Sequence, residues 1–132
     1  MARIVNLSES VLIAIHSLIL ISQKAPSVLS ANDLAKKSGA SENTIAKVLQ
    51  RLTKENYLKS SRGPQGGFTL VKDARDISLL DIYEAVEGKL DLTSCPFNKL
   101  KCTFSSCIFG DVVTGITRDF KEYLKSKTIA QY

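Results

Sequence analysis

The stretch SANDLAKKSGASENTIAKVLQRLTK, residues 30–54, decides how this chain folds. Ser30 followed three positions later by Asp33 has the form of a capping box, and it predicts a short helix over 31–37 that Gly39 terminates. Ser41 then caps a second helix, in which Ile45, Val48, Leu49 and Leu52 recur at helical spacing as a core stripe. That stripe leaves Asn43, Lys47, Gln50, Arg51 and Lys54 toward solvent or a ligand. Two helices joined by a Ser-Gly-Ala turn, the second polar and basic on its outer side, predict a helix-turn-helix.

Downstream, the strand-like runs 57–61 and 67–71 flank Arg62-Gly63-Pro64-Gln65-Gly66, which predicts a β-hairpin with a Gly/Pro tip, the wing of a winged helix. Gly63 and Gly66 permit close approach to a phosphate chain, and Arg62 is placed to enter a minor groove. The same tip fails as a nucleotide-binding loop, because no Gly-Lys-Ser/Thr follows it. Upstream, Ser8 caps a first helix whose apolar positions Val11, Leu12, Ile15, Leu18 and Ile19 predict burial on more than one side. Ser78 and Asp81 open another helix that stops at Gly88. A last helix is expected over 107–126, with Val112, Val113, Ile116, Phe120, Tyr123 and Leu124 on one stripe that needs a cover, and a two-fold partner would supply it.

The fold expected is therefore mainly α with a small β-hairpin wing: a winged helix-turn-helix over 1–88, followed by a cysteine loop and a long dimerisation helix over 89–132. The 132 residues suit one compact domain with an appendage. Up to Arg75 there are 11 Lys and Arg against 5 Asp and Glu, while the remainder carries 7 against 8, so the whole positive excess lies on the first 75 residues. One-sided basicity of this kind is the electrostatic footprint of a polyanion-binding surface. The apolar run 11–21, interrupted by His16 and Ser17, is too short and too polar to span a bilayer. Arg3 before that run has the outline of a secretory signal, but Glu9 spoils the basic flank and Lys24 and Pro26 occupy the cleavage zone, so a cytoplasmic protein without a membrane partner is expected. One histidine in the chain, with no base-orienting partner for a cysteine nucleophile, argues against an enzyme.

Cys95, Cys102 and Cys107 are separated by six and four intervening residues in a turn-rich segment. Three thiolates suit an iron–sulfur cluster, which needs about four ligands and so takes one more group. Glu9, His16 or a group from a partner subunit could complete it. Zinc is disfavoured by the absence of a Cys-x-x-Cys knuckle, and three uncoordinated thiols acting as a redox switch are the alternative.

Arg62-Gly63-Pro64-Gln65-Gly66-Gly67-Phe68, then Ile77, Asp81-Ile82 and Ala85-Val86-Glu87-Gly88 leading into three cysteines, resembles the IscR/NsrR-type winged-helix regulators, the Rrf-two family. The resemblance covers nearly the whole chain. It implies a homodimeric cytoplasmic bacterial regulator that binds double-stranded promoter DNA. On the predicted helix and wing, Ser41, Asn43, Thr44 and Lys47 are expected at the major groove and Arg62, Gly63 and Gly66 at the minor groove or its phosphates. The resemblance also implies an iron–sulfur cluster, of two or four irons, on Cys95, Cys102 and Cys107, sensing redox state, nitric oxide, oxygen or cluster supply. Glu9 falls where other members place an N-terminal acidic ligand, whereas the region of Gly110 stands where some carry a ligating histidine. Cys102 is displaced toward Cys107 relative to better-known members, and Thr44 and Ala46 replace an aromatic and a glutamate of the recognition helix. A cluster-free regulator controlled by thiol oxidation or a protein partner is the alternative function.

Overall fold

The computed structural model describes residues 5, 7–92 and 102–132; Cys95 lies outside the described residues. Five α-helices and one two-stranded sheet follow in the order α1 (Glu9–Lys24), α2 (Ala31–Ser38), α3 (Glu42–Lys54), β1 (Leu58–Ser61), β2 (Gly67–Leu70), α4 (Leu79–Glu87) and α5 (Val112–Ser126) among those residues. Short 3₁₀ turns occupy Ala74–Asp76 and Ile129–Gln131. This is the mainly helical winged architecture that the caps and the hairpin predict.

The helix starts are set locally. Ser8 accepts from the Val11 amide, Ser41 from that of Thr44, and Ser30 and Ser78 each form the complete capping box with Asp33 and Asp81. Gly39, at φ 77°, ends α2 in the left-handed region where a Cβ would be strained. The Ser30 amide, at 2.9 Å, and then the Ser30 hydroxyl hold the Asp33 carboxyl below its ordinary value of 3.8. A depressed native pKa means that the cap's stabilisation is present above the unfolded value and is lost as pH falls through the folded one. An NMR titration of Asp33 should therefore give a midpoint under 3.8, and a midpoint above it would mean that the box does not persist in solution.

One core joins the elements. Val11, Ala14, Leu18 and Ile21 of α1 are almost wholly inaccessible, as are Ile45, Leu49 and Leu52 of α3, Leu58 at the start of β1 and Ile82 of α4. In α1 the stripe is thus rotated from the expected one: Leu12 is 41% exposed and Ile15 and Ile19 are half-buried. A periodicity with apolar residues on every face cannot by itself select the side that meets the core.

Two features of the C-terminal part differ from expectation. The last helix begins at Val112 rather than at Cys107, because Gly110, at φ 54°, closes a turn in which its amide bonds the Cys107 carbonyl at 3.0 Å. The apolar side of α5 is also divided. Phe120 packs edge-on against Tyr83 of α4, with ring centroids 5.5 Å apart, and Leu124 is buried in the core. Val112, Ile116 and Tyr123 stay 56, 38 and 55% exposed. Beyond α5 the chain returns: Thr128 bridges to Ser78, and Ile129, 1% exposed, enters the core.

Candidate nucleic-acid interface

With Ile45, Val48, Leu49 and Leu52 turned inward, the helical repeat places Asn43, Lys47, Gln50 and Lys54 on the opposite face of α3, and all four are exposed. Ser41 and Thr44 lie at the start of that helix with their hydroxyls bonded to each other at 2.7 Å. Thr44 is half-buried, and Ser41 is the N-cap itself, so both of these residues expected at the major groove are engaged in the cap. Glu42, on one flank of α3, accepts from Asn32 of α2 at 3.1 Å and ties the two helices of the motif together.

The wing follows directly. β1 and β2 pair antiparallel, with Leu58 opposite Leu70 and Ser61 opposite Gly67, and β1 packs against α3. Arg62, Gly63, Pro64 and Gln65 form its exposed tip, closed by the Gly66 amide on the Gly63 carbonyl at 2.9 Å. Two of the glycines have an internal reason. A Cβ on Gly66 would lie 2.4 Å from the Ser61 carbonyl oxygen, and one on Gly67 would lie 2.6 Å from that of Leu29. Gly66, expected to serve a phosphate, is thus required first by the wing's own backbone, whereas Gly63, at φ 106°, has open space where its Cβ would be. Behind the hairpin, burial raises the Tyr57 hydroxyl's pKa, and the Lys72 ammonium sits over that ring at 5.1 Å.

The metal-ligand candidates are more scattered. Cys102 and Cys107 are free and exposed on the segment before α5. Glu9 is exposed in the first turn of α1. His16 is exposed too, its Nδ1 2.6 Å from the Leu12 carbonyl oxygen, so it is not the packed core imidazole that its apolar neighbours suggest. Glu9, Leu12 and His16 share one outward face of α1. Among the described residues no three His, Cys, Asp or Glu lie together as metal ligands would. The donor set is nonetheless of the right chemical kind, since soft, exposed thiols are what a cluster requires.

Residues 7–132 match the family described as Rrf2, iron-dependent transcriptional regulator. The chain belongs to that family. This Rrf2 chain is 31% identical over 93 residues to the HTH-type transcriptional regulator IscR of Photorhabdus laumondii, an alignment covering 70% of this chain and 56% of that one. It is 35% identical over 63 residues to IscR of Escherichia coli, covering 48% and 39%. The match therefore spans about half or less of the length of these curated relatives. Among solved structures, T. potens IscR superposes with a TM-score of 0.78 at 24% identity, over 96% of this chain and 84% of that one. CymR (YrzC), the global cysteine regulator of B. subtilis, superposes at 0.80 and 20% identity, over 96% and 94%. These likenesses establish the fold. The curated relatives are named as transcriptional regulators, a class without catalysis, in agreement with the reading of the sequence. No helix among the described residues is long and apolar enough to cross a membrane.

Proposed function

We propose that this Rrf2 chain is a homodimeric, cytoplasmic transcriptional regulator that binds duplex promoter DNA through α3 and the wing, under the control of an iron–sulfur cluster. The observation that carries the reading is the polar outer face of α3, Asn43, Lys47, Gln50 and Lys54, set beside a wing that packs on the same helix and exposes Arg62. Asn43 and the Ser41–Thr44 end of α3 would meet base edges, Lys47 a phosphate, and Arg62 with Gly63 a minor groove. Residues 1–88 would form the reading unit and residues 89–132 the sensing and dimerising part.

Pairing of two chains is supported by the uncovered half of α5 and the turn before it, where Phe104 and Ile108 are 65 and 69% exposed beside Val112 and Ile116. Exposed apolar side chains of this size are costly to leave in water, and a two-fold partner would bury them. Cys95, Cys102 and Cys107 would hold the cluster, with Glu9 as the oxygen ligand that completes it. Bound there, the cluster would supply a centre that oxygen and nitric oxide alter. The chain's own contribution is to tie the cysteine segment to α1 and so bias the orientation of the two reading heads, and about 1.4 kcal/mol of differential stabilisation shifts such an equilibrium tenfold.

The exposure of Cys102 and Cys107, which leaves both sulfurs open to oxidants, supports one second reading, a cluster-free regulator switched by thiol oxidation or by a protein partner. One experiment separates the two. The chain is reconstituted without air, assayed for iron and sulfide, and titrated with promoter DNA at two salt concentrations before and after exposure to nitric oxide or oxygen. A coloured dimer whose affinity changes on exposure is expected; a colourless protein indifferent to both gases would leave the thiol switch. In the same assay Lys47→Ala should weaken binding to all sequences and lower the salt slope by about one unit, while Arg62→Ala should alter preference for narrow A/T-rich grooves. Unchanged affinity in both variants would reject this surface.

A further inference from the structure

Arg51 is exposed like the other cations of α3, but its side chain is tethered. Its Nε donates to the Ala85 carbonyl oxygen at 3.0 Å, which ties the side chain to the last turns of α4. The two terminal nitrogens of the guanidinium keep four N–H donors in a fixed plane. Arg51 also walls a cleft of about 290 Å³, together with Ser8 and Ser10 of α1's start, Lys47 of α3 and Glu87, the last residue of α4. The Ser8 hydroxyl donates to the Glu87 carboxylate, which holds that acid on the α1 side of the cleft. Val48 and Val86 supply its apolar lining.

The charges on these walls select the occupant. Two cations and one carboxylate leave one positive charge in excess. A phosphodiester, with its single negative charge, balances that excess, whereas a dianionic free phosphate or phosphomonoester would overshoot it and meet Glu87. We infer that this cleft seats one phosphate of the DNA backbone, gripped by the anchored Arg51 guanidinium and by Lys47, at the flank of the groove that Asn43 and Gln50 face. The inference rests on the DNA-binding reading and adds a phosphate-positioning residue, Arg51, that the outward face of α3 does not reveal. Because Nε is already fixed, Arg51 gives up little rotamer freedom on binding, and a backbone contact at this point sets the register of α3 in the groove.

The test uses the full chain and a duplex recovered by selection from random DNA, in which single phosphates are replaced in turn by neutral methylphosphonates. One replacement per half-site should weaken the unsubstituted protein on the order of tenfold, the scale of a charge-assisted hydrogen bond. Arg51→Gln should lose a similar factor, lower the salt slope by about one unit per seat, and suffer no further loss from that same methylphosphonate. Since Arg51 also bonds Ala85, a second variant is needed. Glu87→Gln keeps an acceptor for Ser8, removes the opposing charge, and should tighten binding several-fold to every duplex. Binding that is indifferent to both variants yet falls in Arg62→Ala would overturn the seat while sparing the DNA-binding reading; a chain that binds no duplex at all would overturn that reading itself. Inorganic phosphate that raises the melting temperature of the DNA-free chain, but not of Arg51→Gln, would reassign the cleft to a free anion and overturn the backbone assignment.

Discussion

Gly67→Ala is expected to cost about 3 kcal/mol of folding stability and to detach the wing from the body of the protein. A Cβ at this position would lie 2.6 Å from the Leu29 carbonyl oxygen, 2.7 Å from its carbon and 3.1 Å from the Ser30 nitrogen. All three are backbone atoms and cannot rotate away. The bridge they belong to, Phe68 N–H to the Leu29 carbonyl at 2.8 Å with a weaker return bond at 3.5 Å, would have to open. Ser30, the next residue, caps α2, so the displacement would reach the helix-turn-helix as well as Arg62 at the wing tip. Urea unfolding should show the loss, and DNA affinity should fall with it. Gly115→Ala provides the control. That glycine lies inside α5 with nothing within 4 Å of its would-be Cβ, so the same chemical change should stabilise by about 0.5–1 kcal/mol. Equal effects at the two positions would contradict the close approach of β2 to Leu29.

Leu49→Ala should be a strongly damaging core truncation on α3. Leu49 is 0% exposed, on the side of α3 that meets α1, α4 and β1. Removing a buried leucine side chain loses its transfer free energy and leaves a cavity that rigid neighbours fill only in part, about 2–5 kcal/mol. Against a typical total of roughly 5–15 kcal/mol, that is a large share of the chain's stability. The denaturation midpoint should fall with the slope unchanged. Gln50→Ala, one residue along on the exposed face, should change stability by less than about 0.5 kcal/mol. A Leu49→Ala variant as stable as the parent would mean that α3 is not seated as described.

Much of the reading unit is legible from residue order. Ser30 with Asp33, Ser78 with Asp81, the caps at Ser8 and Ser41 and the stop at Gly39 all act within about four residues, and each is where the pattern puts it. The hairpin is equally local. The candidate site is legible in part: Asn43, Lys47 and Arg62 are exposed as expected, whereas Thr44 is drawn into the cap and Gly66 into the wing's own packing. Arg51 was visible only as one outward cation among several, because its tether to Ala85 joins residues 34 apart. Lys47 and Arg51 on one helix and Glu87 on another carry no mark in the linear text that they will line one cleft.

What the amino-acid order determined by itself is the sequence of helices and the wing, the buried stripe of α3 and the basic bias of the first 75 residues, since caps, glycines and apolar periodicity are short-range devices. Only the tertiary structure decided which side of α1 faces the core, where α5 begins, how its apolar band divides between the chain's own core and solvent, and that Ile129 returns to pack beneath Ser78. Those outcomes depend on surfaces brought together from distant parts of the chain. An apolar residue can be satisfied by any neighbour that excludes water, so the choice among neighbours belongs to the assembled fold.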